Sequence, residues 1–113
     1  MKITTKHLIR LFRFIDNDCG LENLKFNIFS MKTNEFCNIF EIDVKDLEIA
    51  LAVLGEQLCK TIYGENRIVF RPIFFEISYS KSQNIIQLDF NLNHFNHIEF
   101  YHKNLYLLKG ERR

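Results

Sequence analysis

Three histidines near the carboxyl end form the densest group of potential metal ligands in the chain. His94, His97 and His102 lie within nine residues, and Asp89 and Glu99 are close to them in sequence. A transition-metal site needs three or four such ligands that converge on one point. On a helix, His94 and His97 would share a face, whereas His102 would lie elsewhere. The sequence therefore predicts neither a metal site nor a cofactor.

The carboxylates indicate structural roles more than catalysis. Asp16 and Asp18 lie in a turn-rich segment, and Asp43 and Asp46 lie where a helix is expected to begin, which are usual places for turn and capping residues. The chain has four glycines and contains no glycine-rich phosphate loop and no nucleophile elbow. We therefore predict that the protein is not an enzyme.

The three cysteines bear on the cellular location. Cys19, Cys37 and Cys59 are an odd number without the short paired spacing of metal or redox motifs. Free cysteines are most often buried, so we expect reduced, partly buried thiols, with a catalytic cysteine as the alternative. Because no signal peptide and no long uncharged apolar stretch is recognisable, we expect a cytoplasmic protein that does not contact a membrane.

Composition predicts one domain over residues 1–113. A chain of 113 residues, 47% of them apolar, can bury about two thirds of its unfolded surface. The formal net charge is only +1, so any nucleic-acid binding has to come from a local patch. Lys6, Arg10 and Arg13 share the outer face of the first predicted helix. They form either a solvated helix face or an anion-binding patch.

Hydrophobic periodicity predicts an α+β fold. Apolar and polar residues alternate most strictly over residues 85–93, which is typical of a half-buried strand. Pro72 lies inside another strand-like run and favours an edge position or a bulge there. The helix over residues 43–60 is apolar nearly all round, so we expect other elements to wrap it. The predicted helices span residues 4–15 (capped by Thr4 or Thr5), 30–40 (capped by Thr33), 43–60 (capped by Asp43) and 93–101. The predicted strands span residues 24–28, 67–79 and 85–93, with turns at 64–66 and 80–84. Residues 105–108 form an apolar segment that is either a last strand or a docking segment, and a mobile tail follows over about 109–113.

Two close helices followed by a long hairpin have the order of a winged helix. Over about residues 4–100 the chain resembles the winged-helix initiator proteins of theta-replicating plasmids, the initiator replication family. The resemblance implies a winged helix-turn-helix with a long antiparallel β-hairpin. Family members carry two such domains, and this chain has the length of the first. The segments that carry the resemblance are Glu35 to Phe40, Leu47 to Lys60, Phe74 to Tyr79 and Ile86 to Asn91.

The resemblance also implies a function. In this family the second domain does most of the specific reading of the repeated origin sites, and the first domain contributes dimerisation and weaker DNA contact. For this chain we expect weak DNA contact, mainly with the phosphate backbone. We therefore expect double-stranded DNA, a second copy of the chain, and host or plasmid replication proteins as partners. Candidate dimer surfaces are the apolar face of the 67–93 hairpin and residues 105–108. The candidate DNA-binding residues are Lys45, Lys81, Ser82, Gln83, Asn84, Arg67, Arg71, Arg10 and Arg13.

Two departures from the family keep an alternative open. Leu92 stands where the family usually has proline, and Asp46 and Glu48 would repel phosphates from the start of the presumed recognition helix. The alternative is a plasmid- or phage-borne protein-interaction module, an inhibitor or regulator, that does not bind DNA. The arrangement of the cations separates the two hypotheses. DNA binding requires Lys45, Lys81, Arg10 and Arg13 to gather on one face that no acidic residue interrupts.

Overall fold

The computed structural model describes residues 1–24 and 27–111. The described residues form an α+β fold with antiparallel sheets, as the sequence predicts. Short 3₁₀ turns lie at Leu21–Asn23, Val44–Asp46 and Leu105–Leu108. The helices and strands are α1 (Thr5–Cys19), β1 (Ile28–Lys32), α2 (Thr33–Phe40), α3 (Leu47–Gly55), β2 (Leu58–Tyr63), β3 (Arg67–Pro72), β4 (Phe74–Ser80), β5 (Ile85–Phe90) and α4 (His97–Asn104).

Helix α1 begins and ends at residues that fix its length. The Thr4 hydroxyl accepts a hydrogen bond from the His7 amide, and the Thr4 amide donates to His7 Nδ1 at 3.1 Å, so the predicted cap is confirmed. The helix runs four residues past the predicted end at Ile15. It stops where Gly20 adopts a φ of 79° and donates its amide proton to Asp16 O.

A three-stranded sheet in the order β1, β5, β4 covers one side of α1. The predicted alternation is confirmed in β5, since Ile86, Leu88 and Phe90 are buried and their neighbours in the strand are less so. Phe12 of α1 lies at the centre of the core, and its ring centroid is 5.7 Å from that of Phe90 and 6.0 Å from that of Phe95. The β5 part of the predicted 67–93 hairpin is therefore core, whereas Ile68 and Phe70 of β3 and Phe75 of β4 are more than half exposed.

The long helix predicted over residues 43–60 is wrong at both ends. A 3₁₀ turn occupies Val44–Asp46, α3 spans only Leu47–Gly55, and β2 begins at Leu58. Residues 58–63 extend because they pair antiparallel with residues 67–72 across a turn in which Gly64 has a φ of 61°. Helix α3 is not wrapped on all sides, since Ile49 is 58% exposed.

Pro72 divides the strand predicted over residues 67–79. β3 ends at Pro72 and pairs with β2, whereas β4 begins at Phe74 and pairs with β5. Asn91 fixes the junction: its amide donates to Ile73 O at 2.8 Å and its side-chain Nδ2 donates to Pro72 O at 2.9 Å. The β2–β3 hairpin is thus held to the body at its base, and every one of its residues is exposed or half-buried.

Three further predictions need correction. The strand predicted over residues 24–28 is displaced to Ile28–Lys32, and Lys25 and Phe26 lie outside the described residues. Helix α2 begins only at Thr33, which is buried instead of capping, and the Glu35 side chain accepts the Lys32 amide at 2.9 Å.

The carboxyl-terminal elements also differ from the prediction. Helix α4 lies at His97–Asn104 and is capped by Asn96, which accepts the Glu99 amide at 3.0 Å. Residues Leu105–Leu108 form a 3₁₀ turn and not a strand; the turn packs against α1 with Leu108 buried, while Tyr106 is 68% exposed.

Candidate interaction site

The β2–β3 hairpin presents an unusual outer surface. Side chains alternate between the two faces of a strand, and the register pairs Leu58 with Pro72, Lys60 with Phe70 and Ile62 with Ile68. These six residues therefore share one side, which we call the apolar hairpin face. On it Leu58 is 56%, Ile62 62%, Ile68 54% and Phe70 60% exposed. Large apolar side chains gathered in this way mark an interaction surface more often than scattered ones do.

The opposite side of the hairpin is half-buried along most of its length, and its tip carries exposed polar residues. Arg67 and Arg71 lie over the Tyr63 ring, with their guanidinium carbons 5.4 and 5.9 Å from its centroid, and Arg71 donates to the Tyr63 hydroxyl at 3.2 Å. Within residues 1–24 and 27–111 neither arginine forms an ion pair. Nearer the base, the Cys59 thiol donates to Arg71 O.

The cations of α1 are bound by a carboxylate from the other end of the chain. Glu111 lies 2.8 Å from Lys6 Nζ, 3.1 Å from Arg10 Nε and 3.9 Å from Arg13 NH2, and Glu41 lies 3.4 Å from Arg10 NH1. This part of the predicted tail is therefore held against α1, while Arg112 and Arg113 lie outside the described residues. Arg10 and Arg13 are brought together, and each forms an ion pair with Glu111.

This contact makes a prediction about pH. Hydrogen bonds from Arg10 and then from Lys6 lower the pKa of the Glu111 carboxyl from its usual 4.5 to about 2. A carboxyl with a lowered folded pKa stabilises the fold above its unfolded pKa, and this stabilisation is lost as the pH falls through the folded value. We expect the carboxyl carbon of Glu111 to titrate near pH 2 by NMR. We also expect the difference in Tm between the wild type and Glu111→Gln to disappear as the pH falls from about 4.5 to 2.

A control separates this effect from the loss of any carboxylate. Glu65 lies exposed in the hairpin turn and has no ion pair within the described part of the chain, so Glu65→Gln should not reproduce the convergence. A Glu111 midpoint near its usual 4.5 would contradict the ion-paired arrangement.

The remaining predicted DNA contacts do not form one cationic surface. Lys81, in the turn between β4 and β5, lies 3.3 Å from Glu48 of α3. In the same turn Asn84 O accepts the Thr33 amide at 3.0 Å, and the side chains of Ser82 and Gln83 are exposed. Lys45 is exposed in the Val44–Asp46 turn and contacts no carboxylate among residues 1–24 and 27–111. Carboxylates thus form ion pairs with Arg10, Arg13 and Lys81, three of the four cations on which DNA binding was expected to depend.

Of the three histidines near the carboxyl end, only His97 is buried. His97 is buried, and its Nε2 donates to Leu21 O at 3.0 Å, which ties α4 to the Leu21–Asn23 turn; His94 and His102 are exposed. Burial raises the pKa of the Cys37 thiol, so its reactive thiolate form is disfavoured. Cys37 and Cys59 are half-buried as predicted, whereas Cys19 is exposed.

None of the helices in the described ranges is both long and apolar enough to cross a membrane. Comparison with protein-family models and with curated proteins found no match for this chain.

Sequence analysis missed the apolar hairpin face. It assigned residues 58–60 to a helix and joined β3 to β4, so the two strands were never paired. The turn at 64–66 was the available signal. If two strands are paired across this turn, side chains at alternate positions lie on the same side. Those positions are Leu58, Lys60 and Ile62 before the turn and Ile68 and Phe70 after it.

Proposed function

We propose that this chain is a winged-helix domain that works by protein association, and first by association with a second copy of itself through the apolar hairpin face. The order α1, β1, α2, α3 and the sheet β1–β5–β4 support the winged helix, with β2–β3 inserted between α3 and the sheet. In this arrangement the Lys81 turn takes the place of the wing. The resemblance to the dimerising first domain of plasmid replication initiators agrees with this proposal.

One observation carries the proposal. Four large apolar side chains are each more than half exposed on one side of a two-stranded ribbon. An isolated ribbon of two strands is marginally stable in water, so covering this side would stabilise the hairpin and remove the apolar surface from solvent.

The chemistry of the face favours a second copy as its occupant. Lys60 is the one charged residue among its six, and the face contains no carboxylate, so it offers little to a charged partner. Apolar surfaces are complementary to themselves. A two-fold axis parallel to the strands would place each Lys60 over the partner copy's Phe70, which replaces repulsion between lysines with a cation–π contact.

Sedimentation equilibrium over a range of concentrations tests the proposal. We expect dimers that dissociate on dilution, and a shift toward monomer in Phe70→Ser. A wild type that is monomeric at every concentration, from protein shown to be folded, would contradict self-association.

Weak DNA contact is a second candidate function, and the Arg67 and Arg71 pair favours it. Within residues 1–24 and 27–111 these two predicted contacts form no ion pair and lie against the Tyr63 ring, whereas Lys81 is paired with Glu48. We expect the variant with both Arg67→Gln and Arg71→Gln to bind a labelled duplex more weakly, and its salt slope to fall by about two, one for each phosphate contact. Lys81→Gln is the matched control and should change little. Absence of binding at low salt, measured by anisotropy, would exclude this role.

A further inference from the structure

One edge of β2 has no neighbouring strand within the described ranges 1–24 and 27–111. Ile73 N–H donates to Gln57 O at 3.1 Å, which sets the phase of the β2–β3 ladder. Because hydrogen-bonded and non-hydrogen-bonded pairs alternate in an antiparallel ladder, the backbone N–H and C=O groups of Leu58, Lys60 and Ile62 point away from β3. Within residues 1–24 and 27–111 no backbone group bonds to them there. Such an edge is a template for another strand.

This edge forms one wall of an open groove of about 720 Å³. Residues 57–62 line the groove consecutively, as they do when a strand is approached from its edge. The other wall is one face of α4 and its cap, with Asn96, Glu99, Phe100 and Lys103 at helical spacing. Buried apolar residues, among them Leu8 and Ile73, complete the lining.

The dimensions and charges of the groove define what fits it. A strand that pairs with β2 would run about 4.8 Å from it and extend about 20 Å along its six residues. Helix α4 stands on the far side, so a single strand fits better than a two-stranded ribbon. Lys60 and Lys103 line the groove with one carboxylate, Glu99, which favours acidic side chains on the incoming segment.

We infer that an extended segment of a partner protein, with alternating apolar and acidic residues, adds to β2 as a third strand in this groove. Backbone hydrogen bonds to Leu58, Lys60 and Ile62 would supply the affinity, and the apolar lining would select the alternate side chains. The inference rests on the proposed role in protein association, but it uses the edge of the hairpin instead of its apolar face.

A defined peptide tests the inference. The probe is a fluorescein-labelled peptide of eight residues in which valine alternates with glutamate, titrated into the full chain carrying Phe70→Ser, so that self-association does not contribute. Two further peptides carry N-methyl groups on alternate amides. In one peptide the methylated amides belong to the odd-numbered residues, and in the other they belong to the even-numbered residues. Only one set can face β2, so we expect one methylated peptide to bind about tenfold or more weakly and the other to bind nearly as well as the parent.

Amide hydrogen exchange locates the binding. With the unmethylated peptide, the amides of Leu58, Lys60 and Ile62 should gain protection, whereas those of Cys59 and Thr61 already bond to β3 and should change less. Three results would overturn the inference: equal binding of the two methylated peptides, protection confined to β3, or no binding by folded protein. Protection of the same three amides in the wild type on dimerisation alone would also overturn it, because the edge would then belong to a second copy. None of these results depends on whether the apolar hairpin face mediates a dimer.

Discussion

Phe12→Ala is expected to lower the free energy of unfolding by about 3–5 kcal/mol. The side chain is fully buried, and its ring centroid lies 5.7 Å from that of Phe90 in β5, 6.0 Å from that of Phe95 just before α4, and 5.8 Å from that of Phe100 in α4. One residue therefore joins α1, the sheet and α4, and the cavity left by its removal borders all three. A domain of this size has about 5–15 kcal/mol in total, so the loss is a large fraction of the stability and should clearly lower the urea concentration at the midpoint of unfolding.

Phe75 provides the matched control for Phe12. It is the extra residue at the bulge in β4 and is 58% exposed, so Phe75→Ala should change the free energy of unfolding by no more than about 0.5 kcal/mol. Urea unfolding followed by circular dichroism measures both variants. A loss below about 1 kcal/mol for Phe12→Ala would mean that this aromatic cluster is not the centre of the core.

Phe70→Ser is expected to raise the dissociation constant of the dimer by about 30-fold or more. Phe70 lies in the middle row of the apolar hairpin face, and a central aromatic residue in an interface typically contributes about 2 kcal/mol or more to binding. The side chain is 60% exposed in the single chain, so its removal should leave the fold intact. Serine adds no charge, so a weaker dimer could not be attributed to repulsion.

The control for Phe70→Ser is Phe75→Ser, which removes an equally exposed phenylalanine outside the hairpin. We expect its dissociation constant to match that of the wild type by sedimentation equilibrium. If Phe75→Ser weakens the dimer and Phe70→Ser does not, the association surface lies on the sheet instead of the hairpin.

Local signals in the sequence predicted the elements that depend on local chemistry. The Thr4 cap, the spacing of Leu8, Leu11 and Phe12 in α1, and the alternation in β5 each involve residues only a few positions apart. The helix predicted over residues 43–60 failed because an apolar run satisfies helix and strand patterns alike. There the pairing with residues 67–72 decided the outcome.

The electrostatics of the candidate site could not be predicted from local pattern. Arg10 and Glu111 are separated by 101 positions, and Lys81 and Glu48 come from different elements, so the ion pairs follow from the tertiary fold. Local pattern predicted that cations lie on one helix face and in one turn. Only the tertiary fold determines that carboxylates lie next to those cations, and that Arg67 and Arg71 form no ion pair in the described part of the chain.

The central claim is that the apolar hairpin face joins two copies of the chain, and an isotope-filtered NOESY spectrum tests it most directly. The sample is an equal mixture of ¹³C-labelled and unlabelled protein, so that only contacts between copies give cross peaks. We predict intermolecular peaks from the Ile62 and Ile68 methyl groups to the Phe70 ring of the other copy. Intermolecular peaks confined to α1 or to the β1–β5–β4 sheet, or the absence of any such peaks at concentrations where sedimentation shows dimer, would contradict the claim.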